Sequence, residues 1–254
     1  MYIDKRMIYV VMAIMLISGL FSYLTDLNSI LNLLYTIPGI LIAITFHEFA
    51  HAFAADKLGD DTPRNQGRLT LNPLGHLDPI GSIMLLFAGF GWGKPVEVNP
   101  RNYDRRFSMD KADAIVSIAG PLMNFFLAIV FTLLFFVIAK IGNIPLAYIN
   151  GNVAYTANIS TIIKIIIEMI LNTIAINVGL GVFNLIPLPP LDGSKVIKPF
   201  LPYNAKQWFE NNEKIFEMIF VVLWIVGILG KIISPVISII LKGVLKLGIM
   251  IFGL

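Results

Sequence analysis

Long apolar runs constrain this sequence more than any other feature does. A helix of about 20 apolar residues crosses the hydrocarbon core of a bilayer, at a rise of about 1.5 Å per residue. Six such runs are predicted to be transmembrane helices, covering residues 7–24, 31–58, 112–139, 159–185, 215–229 and 232–254. The predicted fold class is an all-α polytopic membrane protein with about six transmembrane helices, forming a single membrane domain over residues 1–254.

The composition agrees with these runs and excludes other classes of protein. Apolar residues make up 57% of the chain and charged residues only 14%, whereas soluble domains carry roughly a quarter of charged residues. Such a chain cannot cover a globule with polar surface, so the lipid bilayer is its expected partner and nucleic acid is not. The absence of cysteine excludes a Cys-ligated metal site and a thiol nucleophile.

Lysine and arginine residues predict the orientation. They cluster before the first run, between the second and third, and after the fourth: Lys5, Arg6, Lys57, Arg64, Arg68, Lys94, Arg101, Arg105, Arg106, Lys111, Lys195, Lys198, Lys206 and Lys214. The positive-inside rule therefore predicts a multi-pass protein of the cell membrane, with both termini and the connections over residues 57–111 and 190–214 in the cytoplasm. The last two runs are divided only by Gly230 and Lys231. Lys242 and Lys246 leave open that the final segment lies along the membrane interface.

The connection over residues 66–100 is predicted to contain strands and to be partly re-entrant. Residues 68–73 and 94–100 alternate in polarity and both end in Asn-Pro. This pattern predicts two short strands, a small membrane-associated β-hairpin between the second and third transmembrane helices. Residues 80–92 are apolar and rich in glycine but too short to span, so they are expected to dip into the membrane and return.

All three histidines fall between positions 47 and 76, and two of them form the pattern His47-Glu48-Phe49-Ala50-His51. On a helix, residues i and i+4 share a face, so both imidazoles can bind one metal ion, with Glu48 beside them near the metal-bound water. The alternative is a pair of hydrogen-bonded core histidines. Three ionisable residues within five positions of a transmembrane helix favour the functional interpretation, a catalytic zinc site.

Such a site needs a third protein ligand. His76 and a carboxylate are the candidates, and Asp192 is the best placed because it follows the fourth run on the same predicted side as the two histidines. Two prolines before Asp192, at positions 189 and 190, break the helix and can turn the carboxylate back toward the second run. The alternatives are a plain Asp-Gly turn at Asp192, and a His76 that stabilises its own turn or lines the cleft.

Several segments together resemble the site-2 proteases, the intramembrane zinc metalloproteases of peptidase family M50. The resemblance is carried by the His-Glu-Phe-Ala-His pattern together with residues 72–79, 119–124, 184–187 and 191–193. It implies that His47, His51 and Asp192 bind one Zn²⁺ per chain, that Glu48 is the catalytic base, and that residues 31–193 form a catalytic core of three helices. The small bacterial and archaeal members are the most similar, since no segment corresponds to the PDZ or CBS modules of other members.

Two asparagines and one charged pair complete the candidate residues. Asn124 and Asn184 are candidate hydrogen-bond donors to the developing oxyanion, which the resemblance also supports, while interhelical hydrogen bonds are the alternative. Lys164 and Glu168 lie one helical turn apart and are predicted to form an ion pair.

The predicted function is intramembrane zinc-dependent endopeptidase, cleaving peptide bonds in or near transmembrane segments of a membrane-protein substrate. Unwinding a substrate helix in lipid bares its N–H and C=O groups, so Val96, Glu97 and Val98 are predicted to bind it by strand addition. A hairpin that only caps the loop is the alternative. Two other classes are a metal-ion transporter, which usually contains repeated halves not found here, and a catalytically inactive scaffold.

Overall fold

The computed structural model of the chain describes residues 13–14, 16–21, 27–88, 92–149, 152–155 and 159–253. The first predicted span, residues 7–24, lies largely outside the described residues. Its described part, residues 13–14 and 16–21, is helical.

The described part of the chain is mostly helical. In chain order, its helices are α1 (Leu27–Lys57), α2 (Thr62–Asn65), α3 (Pro79–Ala88), α4 (Met109–Ile141), α5 (Thr161–Asn184), α6 (Asp192–Ile197), α7 (Tyr203–Asn211), α8 (Glu213–Ile225) and α9 (Ile228–Phe252). Short 3₁₀ turns occupy Pro73–Gly75, Pro100–Asn102 and Lys198–Phe200. The two strands are β1 (Leu146–Ile149) and β2 (Asn152–Tyr155), which pair antiparallel.

Three long helices, α1, α4 and α5, pack against one another and form the centre of the molecule. Ser108 and Ser160 precede α4 and α5 in extended conformation, as N-cap residues do, and Asp110 and Lys140 lie at the ends of α4 that suit their charges. Their contacts bury apolar side chains from α4 and α5: Phe135, Phe136, Ile167, Ile170, Ile174 and Val178. The predicted second, third and fourth spans therefore correspond to α1, α4 and α5.

The residues that the structure describes confirm four membrane-spanning helices and not six. Four described helices, α1, α4, α5 and α9, are long and apolar enough to cross a membrane. The fifth predicted span corresponds to α8, whose 13 residues extend only about 20 Å, short of a hydrocarbon core of about 30 Å. The chain breaks at Gly227, which has a φ of +75°, three residues before the predicted boundary.

The predicted β-hairpin between the second and third transmembrane helices is wrong in position. The small sheet of the described chain lies instead between α4 and α5, where Leu146 pairs with Tyr155. Residues 68–73 and 94–99 contain no strand, and this connection has only an isolated bridge between Leu77 and Gly93.

Asparagine capping explains the misleading alternation in those two segments. The side chains of Asn72 and Asn99 accept hydrogen bonds from the backbone N–H groups of Leu74 and Arg101, and so cap the 3₁₀ turns that begin at the following prolines. Arg68 joins the two segments through its side chain. Local capping and one guanidinium therefore replace a strand ladder.

The two ends of α9 pack against opposite ends of the helix bundle. Phe252 stacks on Phe136 of α4 at 5.9 Å between ring centroids, whereas Leu229 and Ile233 pack with Leu191, next to Asp192. The sequence predicted both termini on the same side of the membrane as the connections over residues 57–111 and 190–214. The structure puts the end of α9 at the opposite end of the bundle, because α8 is too short to add a crossing.

Candidate metal centre

The two histidines of α1 point the same way because they are one helical turn apart. Their rings lie 4.6 Å apart between centroids and nearly perpendicular, and their Nε2 atoms are 3.0 Å apart. Both side chains are buried, at 5% and 7% exposure. This is the geometry that the His-Glu-x-x-His spacing predicts for two ligands of one ion.

Asp192 is brought to the histidines by the proline-containing loop after α5. That helix ends at Asn184, and Asp192 is the first residue of α6. The turn is tight: a methyl group at Gly193 would lie 2.5 Å from the Ile186 carbonyl oxygen. Asp192 Oδ2 thereby comes within 3.2 Å of Nε2 of both His47 and His51.

The three side chains fit a tetrahedral zinc site. Their ligand atoms form a triangle with sides of 3.0, 3.2 and 3.2 Å. Tetrahedral ligands at about 2.0–2.2 Å from zinc lie about 3.3–3.6 Å apart, so an outward shift of a few tenths of an ångström would accommodate the ion. His47, His51 and Asp192 form the only potential metal cluster in the part of the chain that the structure describes.

Helix α4 orients both imidazoles by accepting hydrogen bonds from their Nδ1 atoms. His51 Nδ1 donates a hydrogen bond to the Val116 carbonyl oxygen at 2.7 Å, and His47 Nδ1 donates to Asn124 Oδ1 at 2.6 Å. With each Nδ1 protonated and engaged, the lone pair of each Nε2 is left for a metal.

Gly120 allows this approach of α4 to the histidines. It lies midway between Val116 and Asn124 on one face of the helix, and a methyl group there would lie 2.7 Å from His47 Nε2 and closer still to His51 Nε2. Residues 116, 120 and 124 thus form a face that orients the ligands at its ends and leaves room for them in the middle.

The carboxyl of Asp192 is held as an anion. When no metal is bound, burial raises its pKa, but a His51 that is protonated on both nitrogens and the hydrogen bonds from the Nε2 atoms of both histidines lower the pKa by more, so it lies well below its usual range. A bound metal ion would take the place of the Nε2 protons. The site therefore presents a carboxylate, which is the form that binds zinc.

Glu48 lies at the mouth of the site, in contact with the segment that the sequence predicted as a substrate strand. Its Oε2 accepts a hydrogen bond from the Val96 backbone N–H at 3.0 Å. Residues 94–99, named the cleft segment here, form no regular secondary structure, and Pro95, Val96 and Val98 line the cavity together with Glu48. Glu97 points elsewhere and accepts a hydrogen bond from Gln66.

The cavity in front of the metal ligands has a volume of about 500 Å³. Its walls are mainly apolar and include Trp92, Val96, Val98, Phe183, Leu191 and Phe220. Such a cleft can exclude bulk water around the few polar groups that project into it.

The two candidate oxyanion donors differ in their surroundings. Asn124 is fully buried, and its amide nitrogen donates to the Ala43 carbonyl oxygen and to Asn177 Oδ1. Asn184 lines the cavity, and among the described residues its amide nitrogen donates only to the Leu180 carbonyl oxygen. A second amide hydrogen is therefore open at Asn184, whereas Asn124 is committed to holding His47.

His76 bonds within its own turn region, one of the alternatives that the sequence left open, whereas the predicted Lys164–Glu168 ion pair does not form among the described residues. His76 is fully buried but outside the ligand cluster, with Nε2 donating to the Thr70 carbonyl oxygen. Lys164 and Glu168 do not pair in the described part of the chain; Glu168 accepts a hydrogen bond from the Tyr155 hydroxyl instead.

Sequence reasoning missed the roles of Val116, Gly120 and Lys195. Val116 acts through its main chain and Gly120 through a missing side chain, so neither residue type signals a role. Lys195 lines the cavity, and its position three residues after Asp192 on α6 is the signal that could have identified it.

Comparisons with known proteins agree with this geometry. Residues 82–227 match the model of peptidase family M50. The chain is 36% identical over 218 residues to YwhC of Bacillus subtilis, which bears a zinc metalloprotease name, covering 86% of this chain and 92% of that protein. It is 30% identical over 182 residues to Rip2 of Mycolicibacterium smegmatis, which bears the same kind of name, covering 68% of this chain and 62% of Rip2. No solved structure matches.

Proposed function

We propose that this chain, which belongs to peptidase family M50 and is a zinc metalloendopeptidase, cleaves peptide bonds in or near the transmembrane segments of membrane proteins. The observation that carries the proposal is the convergence of His47, His51 and Asp192 between helices α1 and α4 of a membrane protein. Substrate bonds must reach these ligands through the apolar cleft beside them. A transmembrane segment, or the chain next to one, is the class of substrate that such a cleft suits.

His47, His51 and Asp192 would hold one zinc ion per chain. When bound, zinc supplies Lewis acidity, which lowers the pKa of a water molecule toward neutrality and polarises the scissile carbonyl. The roles of the protein groups follow from their positions around the cleft.

Glu48 is the general base. Its carboxylate faces the cleft beside the ligands, takes a proton from the attacking water and delivers it to the leaving amine. The Val96 N–H, which donates to one carboxylate oxygen at 3.0 Å, fixes the orientation of the group and leaves the other oxygen available for the proton.

Asn184 is the better candidate for the oxyanion donor. Its open amide hydrogen and its place on the cavity wall support this role, and a donor in a site that excludes water stabilises developing charge strongly. Lys195 supplies a positive charge on the same wall. Asn124 acts through His47.

The cleft segment binds the unwound substrate through its main chain. The Val98 N–H has no hydrogen-bond acceptor among the described residues, and Val98 lines the cleft. A substrate strand could pair there and satisfy backbone groups that would otherwise be bare in lipid. Val96 is engaged with Glu48, so Val98 carries the free donor.

The metal end of the bundle faces the cytoplasm. Connections next to that end hold most of the lysines and arginines, including Lys57, Arg64, Lys195 and Lys198, which supports this orientation by the positive-inside rule.

Cleavage of defined substrates by the purified protein tests the proposal. The protein is reconstituted in vesicles, its zinc content is measured, and it is mixed with helical transmembrane peptides whose products are located by mass spectrometry. Cleavage in or next to the apolar segment is the expected result. Cleavage confined to soluble peptides would contradict an intramembrane substrate.

Glu48→Gln is the matched control for that experiment. We expect turnover to fall by at least about a thousandfold while zinc stays bound, because Glu48 adjoins the ligands without being one. Wild-type turnover in this variant would overturn the assignment of the general base.

A further inference from the structure

The cleft segment must be held against Glu48 without help from a sheet. It carries no strand pairing along residues 94–99, apart from the isolated bridge at its start, where the Lys94 N–H donates to the His76 carbonyl oxygen. A segment outside any sheet lacks the main-chain hydrogen bonds that hold a strand in place. The position of the Val96 N–H, and with it the orientation of Glu48, therefore depends on whatever holds the two ends of the segment.

The end near Val96 is held by Arg68. This side chain is buried at 7% exposure and donates to the Pro95 carbonyl oxygen at 3.2 Å and to the Gly75 carbonyl oxygen. Since the carbonyl of one residue and the N–H of the next point in opposite directions across a planar peptide, holding the Pro95 carbonyl turns the Val96 N–H toward Glu48.

The other end is held by Asp60, just after α1. Its side chain is fully buried and accepts hydrogen bonds from the Asn99 backbone N–H at 2.7 Å and from Asn102 Nδ2 at 3.0 Å. The Thr62 backbone N–H donates to it as well, at 3.1 Å. A buried carboxylate with several donors is a strong anchor, and removing one acceptor from such a set leaves donors unsatisfied.

The ionisation of Asp60 fits this role. Burial raises its pKa, but hydrogen bonds from Thr62, Asn99 and Asn102 lower the pKa by more, so it lies below its usual range. The carboxylate is therefore charged at neutral pH, and its hydrogen bonds are charge-assisted.

We propose that Asp60 is a positioning residue for catalysis: it fixes the cleft segment to the end of α1, so that the Val96 N–H orients the Glu48 carboxylate. The inference rests on the proposed function of Glu48. Asp60 is connected to Glu48 by two paths. The first is the main chain of α1. The second runs through the hydrogen bond from Asn99 to Asp60, along the cleft segment, and through the hydrogen bond from Val96 to Glu48. The two paths close a ring that contains the general base.

Asp60→Asn tests the inference, with Asp56→Asn as matched control. Asp56 lies four residues earlier, near the end of α1, and pairs with Arg64 instead of the cleft segment. We expect Asp60→Asn to lower kcat about tenfold to a hundredfold, since a shift of about 1 Å in a reacting group costs this much. Zinc content and the KM for a short extended peptide should stay within twofold, and Asp56→Asn should resemble the wild type.

A double-mutant cycle separates positioning from a general loss of stability. Val96→Pro removes the N–H that Glu48 accepts, and Val96→Ala provides the baseline for the lost side chain. If Asp60 acts through this N–H, the double variant Asp60→Asn/Val96→Pro should be no slower than Val96→Pro alone. If the losses of kcat in the two single variants multiply in the double variant, the inference is overturned.

Amide hydrogen exchange tests, independently of activity, whether Asp60 holds the cleft segment in place. In the zinc-loaded protein, Asp60→Asn should raise amide exchange in residues 94–99 by at least tenfold while leaving residues 47–51 unchanged. Unchanged exchange, or raised exchange with wild-type kcat, would overturn the inference. A wild-type protein that hydrolyses nothing would instead count against the proposed function, and the exchange result would still show whether Asp60 anchors the segment.

Discussion

At the scale of single residues, the metal site depends as much on Gly120 as on the ligands themselves. Val116 and Asn124 hold the two imidazoles from α4, and Gly120 between them leaves the space that the rings occupy. The ligands could be inferred from the sequence because His-Glu-x-x-His has a chemical meaning. A glycine within an apolar helix has no such chemical meaning in the sequence, and its role becomes visible only when the neighbouring helix packs against it.

Gly120→Ala should weaken zinc binding by at least about tenfold, because its methyl group would overlap both Nε2 atoms and push the rings from the ion. Zinc affinity measured in competition with a chelator checks this prediction. Gly179→Ala is the control, since a methyl group there would make an ordinary contact of 3.9 Å with Ile237. Equal affinity in the two variants would contradict the predicted overlap.

Asp192→Asn should also weaken zinc binding more than tenfold and remove activity, because an amide is a poorer ligand than a carboxylate. Asp110→Asn is the matched control: that carboxylate pairs with Lys206 and lies outside the ligand cluster. Zinc retained by Asp192→Asn under a competing chelator would mean that the Asp192 carboxylate is not a required ligand.

At the scale of elements, hydropathy predicts the long helices well and the connections poorly. The predicted runs 31–58, 112–139 and 159–185 agree within three or four residues at each end with α1, α4 and α5. Alternation in residues 68–73 and 94–100 suggested strands because periodicity ignores side-chain capping, which Asn72 and Asn99 provide here. The break at Gly227 was missed because a positive φ leaves no trace in hydropathy.

Val98→Pro should slow cleavage of a helical transmembrane substrate at least about fivefold while sparing zinc binding, because it removes the free N–H of the cleft segment. Rates for a full transmembrane substrate and for a short extended peptide, measured in the same vesicles, check this. Val98→Ala controls for the lost side chain, and Glu97→Gln, which alters a side chain paired with Gln66, should matter far less. Unaltered cleavage by folded Val98→Pro would rule out strand addition at this position.

At the scale of the whole molecule, the metal site and the end of α9 lie at opposite ends of the bundle. Gly120 and Phe136 are about 24 Å apart along α4, and Phe252 packs beside Phe136. The sequence contains no cysteine, so single cysteines can report on which side each end lies.

Phe200→Cys at the metal end should react with a membrane-impermeant maleimide only from the cytoplasmic side, and Gly253→Cys at the end of α9 only from the opposite side. Ile141→Cys, at the C-terminal end of α4, is the control and should behave as Gly253→Cys does. Labelling of Phe200→Cys and Gly253→Cys from one side would mean that α9 does not cross the membrane.

The hydrogen bonds from the histidines to α4 make the metal site sensitive to mechanical shear. Zinc would fasten α1 to α6, while Val116 and Asn124 fasten the same imidazoles to α4. Sliding α4 by one residue, about 1.5 Å, would misalign both acceptors at once. Because thermodynamic coupling is reciprocal, the free energy by which zinc resists that sliding equals the free energy by which the slid register would weaken zinc binding. Metal affinity is thus a measure of the register of α4 against α1.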